Sequence, residues 1–309
     1  IRDCDFDLTG QTGTLEGCIL VNCRNALVEA NFRNQPATLN GSLAIYGYCQ
    51  GVVVNSHLLD FANSDALYIQ QSDDVLVRSL FRTASNVIAL SIVDSRAISV
   101  DGSFFQLGTS GGCIAIRDNG LSTFDAHTAL YTASTHVLAN NCQVGTAGYF
   151  FRLQANLNNT QGQGHITVSH NTLRAVTDVL FALAPRTGTP TATYGPFTIV
   201  GNNIEGLTTF DQGAIDIAGH ATDTNGKAQR IVIMGNNIAT FTGGGTKYAI
   251  RLTGYVDDGI ISGNRVGDQI SKGANVTNVP VRNNKGFVTE NSGTATVPNG
   301  ATTVVVNHG

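Results

Sequence analysis

Charge is scarce in this sequence of 309 residues, because Asp, Glu, Lys and Arg together make up 13% of it, about half of the ~25% usual in globular domains. The net charge is −4, and no run of Lys or Arg could follow a phosphate backbone, which argues against nucleic-acid binding. Tryptophan is absent, and the sequence has no apolar stretch long enough for a membrane-spanning helix. Hydrophobic residues still reach 42%, so the chain can bury a core.

Cysteine is present but in no metal-binding arrangement. None of the six cysteines forms a Cys-x-x-Cys pair, and no Cys and His spacing suits zinc. We therefore expect no metal and no cofactor, and interpret the cysteines as small apolar residues that line a core. They are Cys4, Cys18, Cys23, Cys49, Cys113 and Cys142.

An internal repeat dominates the second half of the sequence. The pattern apolar-x-apolar-x-x-Asn-x-apolar occurs at 166–173, 197–204, 231–238 and 259–266. An Asn that recurs at one position of stacked coils can form a hydrogen-bonded ladder of side-chain amides. The first half has the same pattern with less strict residue types. Together the two halves align ten positions: Asn31, His57, Leu80, Ser103, Cys142, Asn171, Asn202, Asn236, Asn264 and Asn284.

A second family of short strands precedes the first in most coils, as in Leu43-Ala-Ile45 and Ile250-Arg-Leu252. β-Branched residues dominate, and the 3.6-residue period of an amphipathic helix is absent. Steps of about 20 to 39 residues between aligned positions indicate coils that keep their strands and vary their loops. We predict an all-β fold, a right-handed parallel β-helix of about ten coils over residues 1–285.

The last residues have a different pattern. Two strand-like runs flank Pro298-Asn299-Gly300, which predicts a hairpin over 286–309 that begins a C-terminal antiparallel β module or caps the last coil. Because the chain starts at Ile1 rather than Met and ends inside a strand-like pattern, we expect it to be a piece of a longer polypeptide.

Residues alternate between the inside and the outside of a strand, so the earlier strand family predicts two outward rows. The first row is Ala44, Tyr68, Ala89, Ala115, Arg152, Asp216 and Arg251. The second row is Tyr46, Gln70, Ser91, Arg117, Gln154, Ala218 and Thr253. Most members are small or neutral, and the charges concentrate in the middle and later coils, where we place a candidate site.

A polysaccharide lyase acting on uronates needs a cation that neutralises the carboxylate and a base that removes the adjacent proton. Arg152 and Arg251 suit the first role, and His220 or Tyr255 the second. With Asp216, the residues His220 and Arg251 form the predicted catalytic set.

A glycoside hydrolase needs two carboxylates instead, and Asp118 and Asp216 are the candidate pair. The substrate-binding residues that we predict are Arg117, Asp118, Arg152 and Tyr255. In the simpler alternative, Asp216 and Arg251 occupy equivalent places in adjacent coils and form an ordinary surface ion pair.

The Asn-bearing coils resemble those of the pectate-lyase-like superfamily of right-handed β-helices, which includes lyases, glycoside hydrolases, epimerases and bacteriophage tailspikes. The resemblance covers residues 1–285, and the tail resembles a short module that follows β-helices in phage tail proteins. The Gly-Asp-Asp and Gly-His-Gly motifs of polygalacturonases, the Asp-Pro-His-Glu motif of epimerases and the calcium-binding nonapeptide are absent.

Three functions are therefore expected. The first, implied by the resemblance, is a tailspike-like or tail-fibre-like adhesin that binds cell-surface glycans and can depolymerise them. It would be a homotrimer that contacts other virion tail proteins, in the virion tail or outside the cell. The second is a secreted polysaccharide lyase or glycoside hydrolase. The third is a structural β-helix for assembly, since one fold hosts many functions.

Overall fold

Strands and turns account for nearly all regular structure. The computed structural model describes residues 1–13, 16–62, 65–117, 133–155, 164–185, 193–206, 213–242 and 247–286, and the backbone of two short paired strands, Thr123–Phe124 and His127–Thr128. Within these residues the only helical segment is one 3-10 turn, Thr224–Gly226. None of them belongs to a helix that could cross a membrane.

Each coil passes in turn through three strands, which we call the first, second and third face. The first face is a ten-stranded sheet: Cys18–Val21, Leu43–Tyr46, Leu67–Gln70, Ile88–Val93, Gly112–Arg117, Tyr149–Ala155, Phe181–Pro185, Gly213–Ala218, Tyr248–Thr253 and Gln269–Lys272.

The second and third faces form one twenty-stranded sheet, and Leu27–Arg33 belongs to both. The second-face strands are Gln50–Val54, Asp73–Val77, Arg96–Asp101, Thr135–Asn140, Gly164–Ser169, Phe197–Val200, Ala228–Met234, Val256–Ser262, Val276–Thr277 and Val281–Arg282. The third-face strands are Arg2–Asp7, His57–Leu59, Leu80–Arg82, Phe104–Gln106, Gln143–Ala147, Thr172–Val176, Asn203–Ile204, Asn237–Ile238 and Arg265–Val266.

Successive coils pair in parallel on all three faces, as in Asp216↔Arg251, Val232↔Ile260 and Asn237↔Arg265. The predicted all-β parallel β-helix is confirmed, and its right hand stays a prediction. The hairpin predicted over 286–309 lies outside the described residues beyond Gly286, so the division at residue 285 also stays a prediction.

The interior is one continuous apolar column. Ile, Val, Leu and Phe from all three faces fill it, and most of them are inaccessible to solvent. On the third face, rings stack from coil to coil: the centroids of Phe81 and Phe105 are 4.9 Å apart, and so are those of Phe6 and Phe32. Equivalent side chains thus contact each other along the axis, which joins every coil to its neighbours.

A ladder of asparagines occupies the inner corner between the second and third faces. Each amide nitrogen donates to the Oδ1 atom of the asparagine one coil on, at 2.8–2.9 Å. That same Oδ1 atom accepts the backbone N–H of the preceding ladder residue at 2.9–3.1 Å. The ladder is confirmed as predicted for Asn171, Asn202, Asn236, Asn264 and Asn284.

In the earlier coils a serine hydroxyl accepts the corner backbone N–H in place of the asparagine amide. The Ser56 N–H donates to Ser79 Oγ at 3.2 Å, and the Ser79 N–H donates to Ser103 Oγ at 3.1 Å. The predicted alignment is therefore wrong by one residue at Asn31, His57 and Leu80, which lie on the third face next to the corner. A short hydroxyl replaces the amide there, so the Asn signal is missing from the sequence.

The corner between the first and second faces has its own ladder. The Cys23 N–H donates to Cys49 Sγ at 3.3 Å, and Ser72 and Ser95 continue the series. All six cysteines are free thiols. Cys49, Cys113 and Cys142 are buried as predicted, and burial raises the pKa of Cys142 to about 12. The buried thiols are therefore structural and poorly nucleophilic.

Replacement of Asn236 by alanine should be strongly destabilising. It removes the acceptor of two Asn202 N–H bonds and leaves the Ile199 carbonyl without its amide donor. Each buried group left unsatisfied costs about 1–3 kcal/mol, so we expect a loss of roughly 3–5 kcal/mol, measured as a lower urea midpoint. Asn237→Ala is the matched control, since that neighbour is exposed and should change stability by less than ~0.5 kcal/mol. Equal midpoints for the two variants would contradict a stabilising ladder.

Candidate functional site

The strand register of the first face assembles the predicted outward rows, with one correction. Leu90 pairs with Leu67, so Ser91 lies beside Tyr68. Ala89 instead packs in the interior and is fully buried. The sequence aligned this strand two residues out of register because Ile88-Ala-Leu90 has the same apolar alternation as Leu90-Ser-Ile92. The observed first row is Ile19, Ala44, Tyr68, Ser91, Ala115, Arg152, Ala182, Asp216, Arg251 and Ser271.

Asp216 and Arg251 form a two-point ion pair between adjacent coils. Arg251 Nε lies 2.9 Å from Asp216 Oδ1, and Arg251 Nη2 lies 2.8 Å from Asp216 Oδ2. The side chain of Asp216 is 9% exposed and that of Arg251 24%. The predicted pair is confirmed, and its fork geometry and burial set it apart from an ordinary surface contact.

Arg152 lies between an aromatic ring and a carboxylate. Its guanidinium carbon is 4.2 Å from the centroid of the Tyr149 ring, and its Nη2 atom is 3.0 Å from Asp178 Oδ2. Asp178 comes from the turn before the next first-face strand, where sequence alternation gives no signal. Its second oxygen, Oδ1, is buried and has no hydrogen-bond partner. This oxygen can accept a hydrogen bond from a ligand.

Electrostatics distinguish Asp178 from Asp216. Burial raises the pKa of Asp178 above 3.8; the charge of Arg152 opposes this shift, and that of Asp216 adds to it. Asp178 and Asp216 belong to adjacent coils of the first face.

A second polar cluster lies in the earlier coils of the same face. Arg117 Nη1 is 3.7 Å from Asp65 Oδ2, and Ser91 donates its hydroxyl hydrogen to Asp65 Oδ1. Burial raises the pKa of Asp65, although the Ser91 bond and the Arg117 charge oppose the shift. The Tyr68 ring lies beside these groups and packs 5.4 Å from the Tyr46 ring. Burial, with the Asp65 charge second, raises the pKa of Tyr68 to about 12, so its hydroxyl is a hydrogen-bond donor at neutral pH.

The remaining predicted site residues lie in loops. His220 follows the first-face strand Gly213–Ala218, and its Nδ1 atom accepts the Asp223 N–H at 2.9 Å. This contact occupies Nδ1 and leaves Nε2 as the ring nitrogen available to a ligand. Tyr255 joins the next first-face strand to the second face, and its N–H donates to the His220 carbonyl at 2.9 Å. Asp118 lies outside the described residues. The catalytic and binding roles of these residues stay predictions.

Each arginine of the first-face rows has a carboxylate partner: Arg117 with Asp65, Arg152 with Asp178, and Arg251 with Asp216. The sequence predicted the arginines but missed Asp65 and Asp178, which lie in turns. No cluster of three or more potential metal ligands occurs in the part of the chain that the structure describes.

The small alanines of the predicted first outward row are not exposed. Ala44 and Ala89 are fully buried and Ala115 is 3% exposed, so neighbouring groups of the same chain cover all three. They offer no contact area to a second copy.

Compared with protein-family models and with curated proteins, the chain matches none. The β-helix architecture is thus established by its own strand pairing, and the finer resemblance to pectate lyases or tailspikes stays a prediction.

Asp178→Asn should make the protein more stable at neutral pH. Because the folded pKa of Asp178 lies above 3.8, ionisation opposes folding, and wild-type stability falls as pH rises through that raised pKa. The variant should melt higher than wild type at pH 7, and the difference should vanish below pH 3.8. Asp257→Asn is a control of opposite sign, since hydrogen bonds from Thr277 and Asn278 lower the pKa of that carboxyl. A lower melting temperature for Asp178→Asn at pH 7 would contradict the assignment.

Proposed function

We propose that this chain is the β-helical body of a glycan-binding protein that holds an extended polysaccharide along its first face. The single observation that carries the proposal is the composition of that face. The half-buried rings of Tyr46, Tyr68 and Tyr248 lie on it, beside carboxylate–guanidinium pairs. Aromatic rings suit the apolar faces of sugar rings, and paired ionic groups suit the hydroxyls.

The length of the array supports a polymer rather than a single sugar. Tyr46 and Arg251 lie on strands separated by seven steps of the first face, about 34 Å at ~4.8 Å per step. Polar and aromatic groups alternate with small residues such as Ala115 and Ala182 along this path. A linear polysaccharide could contact such a face at repeated points.

Charge balance supports a neutral or hydroxyl-rich glycan. The three arginines of the face are already paired with carboxylates. A uronate would have to displace Asp178 or Asp216 to reach Arg152 or Arg251. The unsatisfied Oδ1 of Asp178 is an acceptor, so it favours a ligand hydroxyl over a ligand carboxylate. These contacts weigh against the lyase alternative.

The resemblance to tailspikes extends this proposal to a biological setting. It implies an adhesin of the virion tail or the extracellular space that binds a host-surface glycan beside other tail proteins. The homotrimer belongs to the same expectation. Solution mass is its direct test.

Tyr68→Ala should weaken polysaccharide binding about fivefold, because loss of one aromatic–sugar stacking contact is worth on the order of 1 kcal/mol. Titration calorimetry against purified neutral and uronate-bearing bacterial polysaccharides measures this. The matched control is Phe104→Ala, an exposed aromatic of the third face, which should bind as wild type does. We expect the strongest binding with a neutral polymer and little change with salt. Equal losses in both variants, or a preference for uronate that disappears in salt, would contradict the proposal.

A second candidate function, glycoside hydrolysis, is favoured by one observation. Burial raises the pKa of Asp178, and Asp216, which is paired with Arg251, belongs to the adjacent coil of the same face. Glycoside hydrolases use two carboxyl groups: one donates a proton to the leaving oxygen, and the other activates water or attacks the sugar.

If the face hydrolyses its ligand, Asp178→Asn should reduce release of reducing ends from a bound polysaccharide by at least about a hundredfold while binding is retained. The same assay on Asp65→Asn is the control, because Asp65 lies four coils away from Asp178 on the first face. Unchanged release in Asp178→Asn, or no release by wild type from a polymer that binds, would exclude this mechanism.

A further inference from the structure

The second face carries a central outward row with no charge over eight successive coils. Five of its members are aliphatic and three carry hydroxyls, and all eight are half-buried. In chain order they are Val53, Leu76, Ser99, Leu138, Thr167, Thr198, Val232 and Ile260. Two further apolar residues, Val200 and the 39% exposed Met234, extend the row sideways in the later coils. A row of uncharged, largely aliphatic residues of this length on a sheet surface is a candidate contact surface.

The order of residues in the row is close to a palindrome. Read from its two ends inward, Val53 matches Ile260, and Leu76 matches Val232. Further in, Ser99 matches Thr198. An arrangement with two-fold symmetry and antiparallel rods would bring these positions face to face, aliphatic on aliphatic and hydroxyl on hydroxyl. Only the central match, Leu138 with Thr167, is mixed.

One pair of charges at the border of the row fits the same symmetry; Arg78 and Asp101, on the other border, pair with each other within the chain and would lie opposite Met234 and Val200. Asp74 precedes Leu76 by two residues and Arg230 precedes Val232 by two, so both lie at the same lateral position. Both have left-handed backbone angles, φ 54° and φ 53°, and both are exposed. The two-fold operation places Asp74 of one copy opposite Arg230 of the second copy, and it does so twice.

We propose that the second face is a self-association surface, on which a second copy of this chain packs with its rod antiparallel to the first. Equivalent side chains along the row repeat every ~4.8 Å, the distance between coils. A second copy of the chain presents side chains with the same spacing. The row with its two flanking rows measures about 34 Å by 13 Å. The footprint is therefore on the order of 450 Å² per copy, near the lower limit for specific interfaces, so the pair should dissociate on dilution.

The proposal concerns a different face from the glycan site, and either can fail without the other. It also differs from the homotrimer that the resemblance implies, because three rods cannot share one two-fold contact. Mass separates the two: wild type should approach twice 32.5 kDa in sedimentation at tens of micromolar and fall towards 32.5 kDa on dilution.

Introducing opposite charges at two matched positions of the row tests whether the two rods are antiparallel. Leu76→Lys alone and Val232→Glu alone should each shift the mass to the monomer, because each places a charge against an apolar partner. The double variant should regain the dimer, since the antiparallel pair sets the new ammonium opposite the new carboxylate. Thr172→Lys, an outward half-buried position on the third face, is the control and should leave the mass unchanged. Melting curves of every variant verify that the coils remain folded.

Three outcomes would overturn the proposal. One is a wild type that stays monomeric at tens of micromolar. Another is a mass three times 32.5 kDa, which would support the trimer. The third is a double variant that remains monomeric although both single variants dissociate, which would mean that the contact is not antiparallel.

Discussion

Backbone groups at the inner corners of each coil are the constraint on which the rest of this structure depends. At a corner the chain leaves one sheet and enters another, so N–H and C=O groups face an apolar interior without a strand partner. Unsatisfied, each would cost about 1–3 kcal/mol. Ser, Cys and Asn side chains from the adjacent coil satisfy them, as Ser79 does for Ser56 and Asn236 does for Asn202. Because each bond joins neighbouring coils, satisfying the corners also fixes the register between them.

Fixed register converts sequence positions into surface rows. Once Asn202 and Asn236 are aligned, all the strands of their two coils are in register, so their outward-facing residues are aligned as well. That is how Arg152, Ala182, Asp216 and Arg251 come to lie in one line although about 30 residues separate neighbours in the sequence. The corner ladders therefore position the candidate site without touching it.

The sequence was sufficient for the fold where the corner residue is Asn, since an amide is conspicuous at a repeated position. It failed by one residue where Ser56 and Ser79 replace it, because serine is common elsewhere in the chain. Only part of the candidate site was predicted. The inward–outward alternation of strand residues located Arg152, Asp216 and Arg251. The carboxylates Asp65 and Asp178 belong to turns, whose side-chain directions depend on tertiary packing and not on strand period.

The low charge content of the chain is a consequence of stacking. An outward charge lies within about 5 Å of its equivalents one coil away, where like charges repel strongly and opposite charges pair. The ion pairs among the described residues accordingly join residues of different coils. What sets the first face apart is burial: Asp65 and Asp216, each 9% exposed, are less exposed than the carboxylates of the other described ion pairs. Burial of a charge is costly when stability is the only requirement, so these two carboxylates mark the face on which a ligand is best sought.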